Sequence, residues 1–308
     1  MLAVIITLSL CSCSKEPQTA LVVSGTEISA EVFTYYLDKV LHRPEDYGLT
    51  EKSSKKDFKT AAIEECKKYV AVSTEFMNIG LSLSSSDKVS ISDDVNNLWV
   101  RFGNHYNEIG VSRQTLTKIL TAQAYEDAIF TATYDRGISN KAAEKELTDY
   151  FYSNYVCFRT VCAYFTSADG MTELTQLEKN ELAENFEKLK NGAGDSVQSF
   201  SDTVTAAGYT LSESILLKKG SDGYPEGFFE KVYEQKDGTV IIITESDCIF
   251  AVWKENLKEK GESVYSSYRS SCISDLYSAE AEKKTAEIIA ALEVDEKGAV
   301  DRIVNKMI

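Results

Sequence analysis

The chain changes its hydrophobic period twice, and this constrains its fold more than any other feature. Up to about Tyr155 apolar residues return every three to four positions, the spacing of amphipathic helices. At Val156 the pattern breaks into Val156-Cys157-Phe158-Arg159-Thr160-Val161-Cys162-Ala163-Tyr164-Phe165, a run rich in β-branched and aromatic residues that reads as a core strand. After Trp253 the helical spacing returns and holds to the end. Helices bracketing a segment of mixed strands and helices predict an α+β fold. The simplest architecture folds the C-terminal helices back on the N-terminal ones and leaves 156–253 as an insertion.

Local signals fill in the elements. Ala20-Leu21-Val22-Val23, Ser24-Gly25 and Thr26-Glu27-Ile28 read as a small hairpin whose glycine supplies positive φ. Ser29 caps a helix with Val32, Phe33, Tyr36, Leu37 and Val40 on one side, stopping near Pro44. Further helices are predicted over 55–78, 87–102, 112–136 and 139–155, with Ser112 and Ser139 as caps. Within the insertion, Thr175-Gln176-Leu177-Glu178 fits a capping box, and its helix ends in Gly192-Ala193-Gly194. A short helix over 200–207, a loop, a helix over 226–234 and strands over 239–244 and 248–253 follow. The last helices are predicted over 255–292 and 296–307.

Composition excludes several functions. A net charge of -15 does not suit nucleic acid, whose phosphates need clustered Lys and Arg. No phosphate loop or nucleophile elbow occurs, and Gly192-x-Gly194 lacks the strand and third glycine of a dinucleotide site. His42 and His105 are the two histidines of 308 residues and read as surface or helix-end residues. A zinc site needs three or four grouped ligands, so neither a metal nor a cofactor is expected. Cys66, Cys157, Cys162, Cys248 and Cys272 show no disulfide-like spacing and read mainly as buried small residues.

The apolar run of residues 2–12 is too short to span a bilayer and reads as a signal peptide. It closes on Ser12-Cys13 in a way that resembles a bacterial lipobox, which would make Cys13 the lipid-bearing first residue of the mature protein. Cys11 is the rival, but Leu10 stands where a small side chain belongs.

Lipobox, a hairpin reading Val-Val-Ser-Gly-Thr-Glu-Ile-Ser, a helical segment, an α+β insertion and a returning helix together resemble the PrsA and SurA family of extracytoplasmic foldases. The insertion looks like a parvulin-type peptidyl-prolyl isomerase domain. Its best-matched stretch is Tyr224-Pro225-Glu226-Gly227-Phe228-Phe229-Glu230-Lys231-Val232-Tyr233, followed by Lys236-Asp237-Gly238-Thr239-Val240. On that register Tyr224 and Phe228 take the Met and Phe positions of the proline pocket; the alternative is that both are ordinary core aromatics. Thr160 stands where the family's first strand carries a histidine, and the family's second histidine has no counterpart.

The resemblance implies a mostly helical chaperone domain formed by N- and C-terminal segments, with an inserted parvulin-like α+β domain. The expected division is a signal peptide over 1–12, an N-terminal helical domain over 20–155, the parvulin-like domain over 156–253 and returning helices over 254–308. It implies a lipid-anchored, extracytoplasmic foldase that binds unfolded or newly secreted polypeptides, with Thr160, Tyr224 and Phe228 at the peptide site. Prolyl isomerase activity is expected to be weak or lost; an active isomerase is the alternative.

Overall fold

The computed structural model of the protein describes residues 18–135, 141–167, 170 and 172–308. The apolar run of residues 2–12, Cys13 and the Ser139 cap lie outside the described residues. The fold is α+β, and the chain divides into two compact units: Met1–Gly137 with Tyr277–Ile308, and Ile138–Leu276.

In the first unit, strands β1 (Thr19–Val23) and β2 (Thr26–Ser29) form the predicted hairpin. Ser24 and Gly25 both take positive φ, at 44° and 88°, as a two-residue turn of matching twist demands. Ser24 also receives the returning chain: its N–H donates to the Glu293 carbonyl at 2.9 Å, and its hydroxyl accepts from the Glu293 N–H at 3.1 Å. That contact sets up β7 (Val294–Glu296), which pairs antiparallel with β1 and gives the order β2-β1-β7. A three-residue strand carries no period of its own, which is why it is absent from the sequence reading.

Four helices follow the hairpin. Helix α1 (Ala30–His42) starts where Ser29 accepts from the Val32 N–H and buries Val32, Phe33, Tyr36, Leu37 and Val40, the stripe its spacing predicts. Helix α2 (Lys55–Asn78) begins with a Ser54/Asp57 capping box and contributes Phe58, Ala62, Cys66 and Val70 to the same core. Helix α3 (Ser85–Ile109) runs past the expected stop at Phe102. A glycine weakens a helix interior, but Gly103 lets the Trp99 indole pack close, since a Cβ there would lie 3.3 Å from it. Helix α4 (Arg113–Phe130) is capped by Ser112 and passes into a π-helical turn over Thr131–Asp135. Helix α10 (Gly298–Met307) closes the core with Ala299, Val300 and Val304.

The second unit opens with α5 (Lys141–Asn154), which leads into β3 (Tyr155–Tyr164). Then come α6 (Gln176–Asn191), α7 (Val197–Ala206), β4 (Ile215–Lys218), α8 (Phe228–Glu234), β5 (Val240–Thr244) and β6 (Cys248–Glu255). Helix α9 (Glu262–Ala290) belongs to this unit up to Leu276 and to the first from Tyr277. The sheet is antiparallel throughout in the order β4-β3-β6-β5. Strand β4 is a further departure, since its segment reads as loop in the sequence and becomes a strand only by pairing with the first half of β3.

The Thr175 cap is realised on both sides: Thr175 Oγ1 accepts from the Glu178 N–H at 3.4 Å, and the Glu178 carboxylate accepts from the Thr175 N–H at 2.8 Å. Thr175→Ala is expected to lower stability by about 1 kcal/mol, and Thr175→Ser to retain most of it, in urea unfolding followed by circular dichroism.

Candidate functional site

The sheet of the second unit has two differently covered faces, and strand parity assigns each residue to one of them. On one face Val161, Ile249, Ala251 and Trp253 pack under Phe186 and Leu189 of α6 and Phe200 and Val204 of α7. On the other, Val156, Phe158, Phe250 and Val252 pack with Leu217 of β4 and with Phe228, Phe229 and Val232 of α8. Thr160 pairs with Val252, so it belongs to this second face together with Phe158 and Cys162.

Four aromatic rings meet on that face. Tyr224 stacks on Phe228 with ring centroids 4.4 Å apart, meets Phe158 edge-on at 5.5 Å and approaches Phe250 at 6.2 Å. Phe228 lies 5.5 Å from Phe158 and 5.2 Å from Phe250. The local sequence explains the arrangement. Gly227 takes φ 76°, which turns the chain after Pro225 into α8 and sets Phe228 down onto the sheet.

The three residues singled out in sequence thus share one face, but they are not equally accessible. Phe228 is 1% exposed and belongs to the core. Thr160 is buried, and its hydroxyl donates to the backbone carbonyls of Ala251 at 3.2 Å and Val161 at 3.3 Å. Tyr224 is half-buried and covers the other two aromatics from above.

The face opens toward the end of β3, where Cys162 is half-buried and Tyr164 is 64% exposed. Tyr164 is the residue that sequence reasoning missed. Its signal was present, because it continues the Phe158, Thr160, Cys162 alternation by one step beyond the last buried position.

Electrostatically this face is quiet. Burial raises the Tyr224 phenol and the Cys162 thiol above their ordinary values, and it pushes Cys248 up to about 12. All three stay protonated near neutral pH. Both histidines belong to the first unit, and residues 138–276 carry none. His42 is, as the sequence suggests, an exposed helix-end residue, whereas the meeting of both histidines with Asp38 lies outside that reading.

Solved structures offer partial likenesses. The structure is similar to PrsA foldases. Against the foldase PrsA of Streptococcus pneumoniae the identity is 12%, with 92% of this chain and 91% of that chain covered and a TM-score of 0.37. Against the foldase PrsA of Lactococcus lactis the identity is 14%, the coverage 94% and 98%, and the TM-score 0.41. Against the peptidylprolyl isomerase PrsA of Bacillus cereus it is 12%, 94% and 98%, with a TM-score of 0.34. No family model and no curated protein matches the chain.

Among the described residues no helix is long and apolar enough to cross a membrane.

Proposed function

We propose that the protein is an extracytoplasmic folding factor that binds unfolded or newly secreted polypeptides. In this reading it is held at a bacterial membrane by lipid on Cys13, and its prolyl isomerase activity is weak or lost. Residues 156–253 are the parvulin-like domain, and 20–155 with 254–308 form the helical part. Clients bind along the open end of the aromatic face, on Tyr224, Cys162 and Tyr164, with Thr160 and Phe228 as the floor beneath.

The observation that carries the reading is an apolar, partly open face on which Cys162, Cys248 and Tyr224 are held in their neutral forms. Aromatic side chains provide large contact area at low conformational cost, which suits extended segments of varied sequence. Amide rotation has a barrier of about 18–20 kcal/mol, and lowering it depends on polar groups held in place around the twisted amide. Here the Thr160 hydroxyl is committed to two backbone carbonyls, and Cys162, Cys248 and Tyr224 are held in their neutral forms.

Two assays on the purified full chain test this. It is expected to suppress aggregation of a chemically denatured client at near-stoichiometric ratio, and to leave proline-limited refolding of a model substrate within about twofold of the unaided rate, which spans tens to hundreds of seconds. Failure to suppress aggregation would overturn the chaperone reading. Strong acceleration of refolding would replace it with the alternative, an active parvulin-type isomerase.

A further inference from the structure

The first unit brings both histidines of the chain to a single carboxylate. Asp38 and His42 stand four residues apart on α1 and so share one face of that helix. His105 comes from α3, and its Nε2 lies 2.9 Å from Asp38 Oδ2. His42 Nδ1 lies 3.4 Å from Asp38 Oδ1 and 2.9 Å from the Asp38 carbonyl. The imidazole rings are 5.5 Å apart and nearly perpendicular, and one ligand atom from each of the three residues falls within 4.8 Å of the others.

We propose that Asp38, His42 and His105 form a binding site for a divalent metal ion of the zinc class that ties α1 to α3. Two imidazole nitrogens and one carboxylate oxygen are a donor set for zinc and its neighbours among the late transition metals. Calcium and magnesium take all-oxygen sites. Metal–ligand bonds of about 2.0–2.2 Å place tetrahedral ligands roughly 3.3 Å apart, so the Asp38 contacts already have the required scale. Bringing in the third ligand requires movement of the His42 ring, whose side chain is 66% exposed, with exchange of its 2.9 Å contact to the Asp38 carbonyl for the metal. A water would complete the tetrahedron from the solvent side.

The floor of the site is built to hold the carboxylate. The Asp38 side chain is 14% exposed, and an aromatic wall stands beside it. Tyr106 stacks at 6.3 Å on both Tyr35 and Trp99, and it lies 5.9 Å from the His105 ring. With its side chain 14% exposed the carboxylate is poorly solvated, and a cation bound to it is screened less than on an open surface. The site lies in the first unit, so it stands independently of the polypeptide-binding reading.

The test is calorimetric titration of the chelator-treated full chain with zinc chloride at neutral pH, beside calcium and magnesium chloride. One equivalent of zinc is expected to bind, with no comparable uptake of the other two. Removing a group that merely supports a metal ligand weakens binding 10–100-fold, so loss of a ligand itself in His42→Ala or His105→Ala is expected to cost at least about tenfold. Because His42 is exposed, His42→Ala leaves the fold intact, and zinc should raise the melting temperature of the wild type more than that of this variant. Cobalt substitution reads the donors: visible d–d bands without a thiolate charge-transfer band are expected. Absence of saturable zinc binding, unchanged affinity in both variants, or a thiolate band assigning the metal to cysteines would each overturn the proposal.

Discussion

Glu255→Ala is expected to destabilise the second unit by about 3 kcal/mol or more, the usual cost of removing one partner from a largely buried ionic cluster. Glu255 ends β6 and is 8% exposed. Its carboxylate receives Lys260 at 2.8 Å, Arg159 at 3.1 Å, the Cys157 thiol at 3.2 Å and the Ser214 hydroxyl. Four chain segments converge on this one side chain: β3, the loop before β4, the end of β6 and the turn before α9. Removing it takes the nearer counter-charge from two half-buried cations, Lys260 and Arg159, and leaves Arg159 the exposed Glu213 at 3.8 Å.

The same site has a pH signature. Burial alone would raise the Glu255 carboxyl, but Lys260, Ser214, Cys157 and Arg159 outweigh burial and hold it down to about 2. An unfolded glutamate titrates near 4.3, so the folded state favours the ionised form. The stabilisation, about 3 kcal/mol, is therefore complete at neutral pH and is lost progressively as pH falls from about 4.3 through about 2. Urea midpoints measured across that range should converge between wild type and Glu255→Gln as the solution is acidified. Trp253 on the same strand reports the unit once Trp99→Phe removes the other indole. A constant gap between the two proteins down to pH 2 would show that the carboxylate is not stabilised in its charged form.

The Glu255 cluster also marks where the sequence stops being informative. The hairpin at Ser24-Gly25, the α1 stripe, the bounds of α2 and the Thr175 box were legible because each rests on residues a few positions apart, whose conformations decide the outcome locally. The run from Val156 was legible because β3 and β6 are covered on both faces and so read as continuous apolar sequence. By contrast β4 and β7 owe their existence to distant partners, and nothing near Ser214 or Lys260 announces that both face Glu255. The gathering of Thr160, Tyr224 and Phe228 on one face followed from family resemblance, whereas their unequal exposure depends on how Tyr224 folds over the sheet. His42 and His105 are the same kind of case. His42 stands at helical spacing from Asp38, but His105 arrives from a second helix, so the meeting of the three residues is written in no single spacing.

Phe228→Ala and Tyr164→Ala are expected to separate stability from client binding on the one aromatic face. Phe228 is fully enclosed, in ring contact with Phe158, Tyr224 and Phe250. Truncating it removes the apolar transfer energy of the ring and leaves a cavity beneath α8, at a cost of about 3–5 kcal/mol in urea unfolding. Tyr164 stands on the same face but is 64% exposed, so its truncation should change stability by less than about 0.5 kcal/mol. Its effect should appear in aggregation suppression, where loss of an aromatic anchor at the open end weakens retention of extended segments. Tyr224→Phe keeps the stacked ring and should resemble the wild type in both measurements, because the phenol hydroxyl is not what holds Tyr224 over Phe228. If Tyr164→Ala retained full aggregation suppression while Phe228→Ala lost stability as described, the aromatic face would be a core element alone, and the client surface would have to lie elsewhere on the chain.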